Sequence, residues 1–217
     1  QKENIDKIFI SPGINIYKSK IKKFLNKNLN KIHTDFNLFF ENLKNNKIIT
    51  ITGTNGKSTT CKIIEHILKK AGFYPQVGGN IGNPILNLDK KRKKTVFIIE
   101  ASSYQLDYSK IFRSNHAILL NVSSDHLDRH KNISKYIKVK LKLFRGQKKN
   151  DFAYINFSDR YYQKVKKILK SSKLLPKIVL IKKGQFNQLL KKTNNKYLLN
   201  YGNIQNAVFA IHVAKRM

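Results

Sequence analysis

Hydrophobic and polar positions along this chain alternate between the spacing of a strand and the spacing of a helix. A β-branched run at residues 48–52 is typical of a buried strand, and it ends at Gly53. Apolar residues then recur at the spacing of one helix face, at Ile63, Ile64, Ile67, Leu68 and Ala71. This order predicts a strand, a glycine loop and a helix.

Shorter apolar runs of the same kind follow, and helical patterns lie between them. The runs predict strands at residues 95–99, 117–121, 152–156 and 178–181. The helical patterns include residues 133–144 and 160–171. This alternation predicts an α/β fold, with a mainly parallel sheet flanked by helices and with ligands at the carboxyl ends of its strands.

The two ends of the chain are less regular. Residues 1–36 lack a cluster that could form a domain alone, and they contain only a short strand, a turn and a lysine-rich helix, at 8–10, 11–14 and 21–29. Since the first residue is Gln1 rather than Met, we expect an upstream part. Residues 182–195 are polar and lysine-rich and predict a loop, whereas residues 203–217 predict a final helix.

The glycine loop after the first long strand has the composition of a phosphate-binding loop. Gly53 and Gly56 let the backbone curl until its N–H groups converge, and the positive end of the following helix points at the anion. Lys57 adds a full charge, and Ser58 offers a hydroxyl to a nucleotide-bound Mg²⁺. The loop is a short form, because Ile51 stands where the common pattern has another glycine. An ordinary turn and helix cap is the alternative to nucleotide binding.

Three polar clusters follow predicted strands, so the fold should bring them to one edge of the sheet. They lie at residues 78–82, 100–106 and 121–130. Glu100 emerges from a hydrophobic strand beside the glycine loop, where its carboxylate can bind Mg²⁺. The alternative is that Glu100 caps a helix that starts at the two serines after it.

Asp125, His126 and Asp128 crowd a single turn. Like charges this close are costly unless cations offset them, so a second Mg²⁺ or a substrate phosphate is one explanation, with His126 as a neutral nitrogen ligand. Alternatively, the two aspartates pair with Arg129 and cap the next helix. Lys140, from the residues alone, is one of several lysines on a solvated helix face.

Composition limits the class of protein further. The 217 residues have room for one large domain or two modest ones, and 41% of them are hydrophobic. Because no apolar run reaches membrane-spanning length and no signal-peptide pattern appears, we expect a soluble cytoplasmic protein without a membrane partner. Cys61 is the single cysteine, and we expect it to be a half-buried packing residue without chemistry.

The formal net charge of +32 suggests nucleic acid at first sight. The excess is mostly lysine and is spread along the whole chain, so we do not expect nucleic acid as a partner. A basic P-loop ATPase that binds nucleic acid stays open as an alternative, and it predicts steeply salt-dependent binding. A non-catalytic nucleotide-binding remnant is a further alternative.

With these residues in place, the chain resembles the Mur ligases, the ATP-dependent enzymes that form amide bonds in peptidoglycan precursor synthesis. The loop G-T-N-G-K-S-T-T at residues 53–60 is shared with the wider superfamily, folylpolyglutamate synthases included. Four motifs are similar to the branch that adds D-glutamate: S-P-G-I at 11–14, G-N-I-G-N-P at 79–84, E-A-S-S-Y-Q-L at 100–106 and D-H-L-D-R-H at 125–130. Another Mur ligase or a folylpolyglutamate synthase is the alternative enzyme.

The resemblance implies the substrates and the site residues. The substrates would be ATP, UDP-N-acetylmuramoyl-L-alanine and D-glutamate, with two Mg²⁺ ions. The catalytic residues would be Lys57, Glu100, His126 and Lys140. The ATP-binding residues would be Gly53, Thr54, Asn55, Gly56, Lys57, Ser58, Thr59, Asn203 and Asn206. The residues in contact with the muramoyl substrate would be Gly13, Asn80 and His126, and the metal ligands Ser58, Glu100, His126 and a carbamylated Lys140.

The resemblance also implies a division into domains. Residues 1–36 would be the end of a Rossmann-like, UDP-binding N-terminal domain, and residues 37–217 would be the central ATP-binding domain of a monomer. The family has a C-terminal domain for the incoming amino acid, and we expect that domain to be absent from these 217 residues. We therefore expect the chain to bind ATP weakly and not to complete ligation alone. Gly202 stands where the family has a nucleotide-reading histidine.

Overall fold

A parallel sheet between two layers of helices dominates the fold. The computed structural model describes residues 5–43, 46–89, 93–110, 112–172 and 176–217. Its strands are β1 (Ile8–Phe9), β2 (Ile32–His33), β3 (Lys47–Thr52), β4 (Tyr74–Gly79), β5 (Thr95–Glu100), β6 (His116–Leu119), β7 (Phe152–Asn156) and β8 (Lys177–Ile181). Its α-helices are α1 (Lys22–Lys27), α2 (Asp35–Glu41), α3 (Lys57–Lys70), α4 (Ser103–Tyr108), α5 (Leu127–His130), α6 (Ile133–Leu141), α7 (Tyr162–Lys170), α8 (Lys183–Lys192) and α9 (Tyr201–Ala214).

Six of these strands form one sheet in the order β4-β5-β3-β6-β7-β8, and every neighbouring pair is parallel. The chain leaves β3 toward β4 on one side, and it leaves β6 toward β7 on the other side. The crevice at the carboxyl ends of β3 and β6 therefore lies where the connections diverge, which is where open α/β sheets bind ligands. The predicted parallel sheet flanked by helices is confirmed.

Side chains of the strands alternate between the two faces of this sheet. In β5, Phe97 and Ile99 pack on the face covered by α2, α4, α6 and α7, whereas Val96 and Ile98 pack under α3, α8 and α9. Cys61 of α3 is fully buried rather than half-buried, and burial raises the pKa of its thiol, so it has no reactive character. Among the described helices, none is long and apolar enough to cross a bilayer.

The first described residues pack beside the main sheet. β1 and β2 form a separate two-stranded parallel sheet, and Ile16, Leu25 and Ile32 form a small hydrophobic cluster there. α2 follows at once, and its Phe36 is fully buried in the core of the main sheet. The predicted division after residue 36 falls within α2, and the division into domains stays a prediction.

One sequence-based expectation about secondary structure is wrong, and another is right except at the end of the strand. The predicted loop at residues 182–195 is mostly α8, because Phe186 is fully buried and Leu189 packs against the same core, while the surrounding lysines are exposed. Because lysines are so frequent in this segment, its composition suggests a loop although the helix has a narrow apolar face. The strand predicted at residues 117–121 ends at Leu119, so that Asn121 lies in the loop after β6.

Candidate nucleotide-binding site

The loop between β3 and α3 has the geometry of an anion-binding loop. Gly56 precedes α3 with a φ of +83°, a left-handed conformation that costs energy for a residue with a Cβ. The first hydrogen bond of the helix runs from Thr60 N to the Gly56 carbonyl. The N–H groups of Lys57, Ser58 and Thr59 therefore have no partner within the helix, and they and the helix dipole favour an anion.

The Lys57 side chain folds back onto the loop. Its ammonium donates to the carbonyl of Gly53 at 3.1 Å and to that of Thr54 at 2.8 Å. Both acceptors are neutral, and a charged phosphate oxygen makes a stronger hydrogen bond with an ammonium. A phosphate at the loop can therefore take the place of these carbonyls.

The start of α9 lies against the loop on another side. A Cβ on Gly56 would lie 2.4 Å from Oδ1 of Asn206, so the Asn206 amide is in close contact with the loop. Asn203 instead donates from Nδ2 to the carbonyl of Tyr197 at 2.9 Å and holds the segment before α9. The structure thus brings Asn206 to the loop and engages Asn203 elsewhere.

Glu100, the last residue of β5, is buried beside the loop with 1% of its surface exposed. Its two carboxylate oxygens accept hydrogen bonds from Ser58 Oγ and from Asn80 Nδ2, each at 2.7 Å. Gly79 permits this approach, because a Cβ there would lie 2.4 Å from the Glu100 carbonyl oxygen. The alternative that Glu100 caps α4 is wrong, since the capping side chain is that of Ser102.

The oxygen atoms of this cluster fit a magnesium ion. A hydroxyl and a carboxylate are hard ligands of the kind that Mg²⁺ prefers, and the ion usually takes its other ligands from phosphates and water. In the described ranges, no group of three or more His, Cys, Asp or Glu side chains could hold a metal ion. Ser58 and Glu100 therefore fit an ion that arrives with a nucleotide better than one held in a dedicated protein cage.

Lys140 is buried beneath the loop, so the expectation of a solvated face is wrong. Its Nζ donates to the carbonyl of Gly53 at 2.7 Å and lies 4.6 Å from the centroid of the Tyr136 ring. Burial and the nearby Lys57 ammonium lower the pKa of Lys140 to about 7, while Asp125 opposes this change. A lysine with such a pKa has a substantial neutral fraction near neutral pH, and the neutral amine is a nucleophile.

His126 lies in the turn before α5 with a φ of +51°, in the left-handed region. Its Nδ1 is 3.1 Å from the hydroxyl of Tyr104, and its Nε2 is 3.3 Å from Oδ2 of Asp125. The ring is 43% exposed. Nδ1 has its partner on α4 and Nε2 has its partner within the turn, so a metal ion or substrate would replace one of them.

The alternative in which the aspartates of this turn pair with Arg129 does not describe its contacts. Nη2 of Arg129 donates to the carbonyl of Ile14 at 2.9 Å and to the hydroxyl of Tyr108 at 2.6 Å. The residue at the start of α5 is His126, without a side-chain cap. Arg129 thereby brings the turn that contains Gly13 beside the His126 turn.

A cleft of about 660 Å³ opens beside the start of α3. Ser58 and Thr59 line one part of it, and apolar side chains of α3 and α9, among them Ile63 and Ile211, line another part. This volume and this lining are typical of small-molecule pockets. A nucleotide-sized ligand therefore has room next to the phosphate loop.

Sequence reasoning assigned no role to two residues that shape the site. Tyr136 packs under Lys140, and its hydroxyl lies 3.4 Å from Oγ1 of Thr54. The apolar stripe of α6 includes Tyr136 and Leu141 at the spacing that also buries Lys140, and this signal was available. Asn121 contacts the loop from the end of β6, and no local pattern in the sequence indicates that contact.

A glycine loop after a central strand, followed by a lysine and a serine at a helix start, with a buried carboxylate at the end of the next strand, defines a P-loop nucleotide-binding α/β protein. Sequence comparison gives the family, because residues 51–214 match the Mur ligase middle domain. The chain belongs to the Mur ligase family, whose members are ATP-dependent.

Comparisons with individual proteins agree. The UDP-N-acetylmuramoylalanine--D-glutamate ligase of Rickettsia felis is 39% identical over 228 residues, which covers 98% of this chain and 50% of that protein. UDP-N-acetylmuramate:L-alanyl-gamma-D-glutamyl-meso-diaminopimelate ligase from Neisseria meningitides has a similar solved structure, with a TM-score of 0.66 and 18% identity over 97% of this chain and 74% of that one.

A further solved structure adds a ligand to the comparison. MurF ligase from Thermotoga maritima was solved in complex with ADP, and it matches with a TM-score of 0.50 and 17% identity, over 84% of this chain and 52% of that one. The two structural similarities show the fold. The chain spans about half the length of the curated relatives that it matches from end to end.

Proposed function

We propose that this chain provides the ATP-binding site of a ligase that joins D-glutamate to UDP-N-acetylmuramoyl-L-alanine. The observation that carries the proposal is the buried Glu100 carboxylate, which accepts from Ser58 of the phosphate loop and from Asn80. The choice of substrates is supported by the name of a relative that is 39% identical over 98% of the chain.

The loop and its surroundings would bind the triphosphate of ATP. Lys57 and the N–H groups at the start of α3 would hold the phosphates. The loop around them would be formed by Gly53, Thr54, Asn55 and Gly56. Asn206 of α9 would also contact ATP. Ser58 and Glu100 would hold Mg²⁺, which when bound neutralises charge on the transferring phosphoryl group. Asn203 has its side chain engaged with Tyr197, and its contact with ATP stays a prediction.

The proposed reaction has two steps and needs no protein nucleophile. An oxygen of the alanyl carboxylate attacks the γ-phosphorus of ATP, the bond to the β–γ bridging oxygen breaks, and ADP leaves. The nitrogen of D-glutamate then attacks the resulting acyl phosphate, phosphate leaves, and the amine proton passes to a base. Asn80 and His126 would orient the muramoyl-alanine part, and Gly13 would lie against the UDP part.

Lys140 would act as a carbamate in this reaction. Its neutral amine adds to CO₂ and loses a proton, which converts a buried cation into an anion. The lowered pKa of Lys140 supports this step, because only the neutral amine reacts. The carbamate and His126 would then be ligands for a second Mg²⁺.

The experiment that tests the proposal measures phosphate release by the reading frame that contains this chain, with ATP, Mg²⁺ and UDP-N-acetylmuramoyl-L-alanine. We expect release to require D-glutamate and to fall about 100-fold in Glu100→Gln, because the carboxylate charge beside the phosphates is lost. Glu65→Gln is the matched control, since Glu65 pairs with Lys62 and Lys69 on the exposed side of α3.

The outcomes separate the proposed ligase from its alternatives. Release that ignores D-glutamate, or that requires a folate instead, would contradict the proposal. Equal rates for Glu100→Gln and Glu65→Gln would contradict the metal site. A monomeric state and a cytoplasmic location stay predictions.

A further inference from the structure

The side chain of Asn121 binds the phosphate loop from the neighbouring strand. Its Oδ1 accepts from Thr54 N at 3.1 Å and from Asn55 N at 2.9 Å, and its Nδ2 donates to the Asn55 carbonyl at 3.0 Å. The Asn121 carbonyl also accepts from Thr54 N at 3.1 Å. One residue at the end of β6 thus occupies three backbone groups of the loop.

These contacts divide the N–H groups of the loop into two sets. Those of Thr54 and Asn55 are engaged by Asn121. Those of Lys57, Ser58 and Thr59 precede the first hydrogen bond of α3, from Thr60 N to the Gly56 carbonyl. The second set has no partner in the helix, so these three donors are open to an anion at the loop.

The contacts require an amide at position 121. Two N–H groups need an acceptor and one carbonyl needs a donor, and a primary amide supplies both. A carboxylate would still accept from both N–H groups, but it would face the Asn55 carbonyl without a proton and would add negative charge beside a phosphate. An alanine at position 121 would remove the side-chain partner of Thr54 N, of Asn55 N and of the Asn55 carbonyl.

The same segment connects the loop to the His126 turn. Oγ1 of Thr54 accepts from Ser123 N at 3.0 Å, two residues beyond Asn121. Residues 121–123, which lead to His126, therefore hold the loop by hydrogen bonds. A displacement of Asn121 would move the phosphate loop and this turn relative to each other.

We propose that Asn121 is a positioning residue for the nucleotide phosphates. It holds Thr54 and Asn55 in the conformation that turns their N–H groups to β6 and leaves the first N–H groups of α3 for the anion. This inference rests on the proposed function, because it concerns the same phosphate site. It assigns the phosphate donors to residues 57–59 and not to residues 54–55.

The chain offers a matched control at the other end of β6. Asn115 is half-buried like Asn121, its Oδ1 accepts from Ile48 N at 3.0 Å, and its Nδ2 donates to Asp151 at 3.1 Å. It therefore joins neighbouring strands by the same type of contact, at the edge of the sheet opposite the loop. Loss of the Asn115 amide should lower the stability of the fold without changing the affinity for phosphate.

The first experiment titrates inorganic triphosphate and ATP into the 217-residue chain and its variants. We expect Asn121→Ala to weaken both ligands by about tenfold, since hydrogen bonds that fix the loop are lost. Asn115→Ala should bind both like the wild type. If Asn121→Ala binds triphosphate as tightly as Asn115→Ala does, Asn121 does not position the loop.

A second variant distinguishes positioning from simple support of the fold. Asn121→Asp should bind triphosphate more weakly than the wild type at neutral pH, and the difference should shrink toward the pH at which carboxyl groups take up a proton. A protonated carboxyl again offers a donor to the Asn55 carbonyl. A difference that does not change with pH would contradict the proposed contact.

Amide NMR of the wild type keeps the proposal testable if the variants do not fold. Added triphosphate should shift the amide signals of Lys57, Ser58 and Thr59 most, while those of Thr54 and Asn55 exchange slowly with solvent before and after. Equal shifts for both sets would overturn the assignment. A wild type that binds neither triphosphate nor ATP would instead overturn the proposed function.

Discussion

Lys57 and Lys140 both donate to the carbonyl oxygen of Gly53, at 3.1 Å and 2.7 Å. Lys140 is almost fully buried, and its ammonium group is also repelled by that of Lys57 on the same acceptor, so the pKa of Lys140 falls to about 7. Loss of a proton from Lys140 removes the repulsion. At the scale of the residue, the loop thus favours a neutral, reactive amine beneath a phosphate site.

This environment predicts a carbamate at Lys140. With ¹³C-labelled bicarbonate, we expect a carbamate signal in ¹³C NMR that grows as the pH rises through about 7, because the neutral fraction of Lys140 grows there. The signal should vanish in Lys140→Met and persist in Lys138→Met, which changes an exposed lysine of the same helix. A signal that survives Lys140→Met would refute the assignment.

A buried histidine far from the loop makes stability depend on pH. His116 is 3% exposed and lies 2.8 Å from the hydroxyl of Tyr154. Burial, with help from Lys47 and Arg216, lowers its pKa from 6.5 to about 4. Between these values the unfolded chain binds a proton that the folded chain does not bind, so the free energy of unfolding falls as the pH falls.

The loss should reach about 3 kcal/mol at pH values below about 4, relative to pH values above 6.5. Urea unfolding of the wild type and of His116→Gln at several pH values measures it. We expect the variant to lose less stability across this range, whereas His66→Gln, at an exposed histidine, should follow the wild type. Parallel curves for wild type and His116→Gln would show that His116 is not responsible.

At the scale of the element, the order of strands and helices follows from local patterns. The runs that form β3, β5 and β7 are mainly apolar and buried, as expected for strands of a sheet whose two faces are both covered by helices. α8 was missed because its buried face depends mainly on Phe186 amid lysines. The loop and Glu100 could be predicted, since both follow strands of a parallel sheet.

The contacts inside the site could not be predicted in the same way. Asn121 meets Thr54 and Asn55 across 66–67 residues of sequence, and such contacts depend on strand order and register. The burial of Lys140 depends on which face of α6 packs on the sheet. Local spacing limits these outcomes, and tertiary packing decides them.

The conformation of the phosphate loop depends on Gly56. In Gly56→Ala, the new Cβ would lie 2.4 Å from Oδ1 of Asn206, and the alanine would have to adopt a φ of +83°. We expect a loss of about 2 kcal/mol in the free energy of unfolding, together with loss of ATP binding. Chemical unfolding and nucleotide titration measure the two effects.

Gly184→Ala is the control for this substitution. A Cβ on Gly184 meets no atom within 4 Å, and the residue is in α8, so alanine should raise the free energy of unfolding by about 0.5–1 kcal/mol. Nucleotide binding should not change. Wild-type ATP binding in Gly56→Ala would contradict the geometry of the loop.

In the whole molecule, the order of the strands brings the functional residues together. β3, β5 and β6 are neighbours, so the loop, Glu100 and Asn121 meet at one edge of the sheet although they are far apart in sequence. The net charge of +32 is not concentrated at this site, because the lysines occur throughout the chain. Charge without a patterned groove favours weak, salt-sensitive contact with polyanions.

This distribution predicts how the protein treats nucleic acid. We expect RNA to bind weakly at low salt, to dissociate as salt rises toward physiological concentration, and to leave the rate of ATP hydrolysis unchanged. Fluorescence anisotropy and a phosphate assay at several salt concentrations measure both. RNA-stimulated hydrolysis would favour the nucleic-acid-binding ATPase.

ATP and Mg²⁺ should bind where Ser58 meets Glu100. A crystal structure with Mg²⁺ and a non-hydrolysable ATP analogue would show this contact directly. We expect phosphate oxygens on the N–H groups of residues 57–59, and Mg²⁺ about 2.1 Å from Ser58 Oγ or from a Glu100 oxygen. A nucleotide bound away from the loop, or a metal ion that neither Ser58 nor Glu100 coordinates, would contradict this expectation.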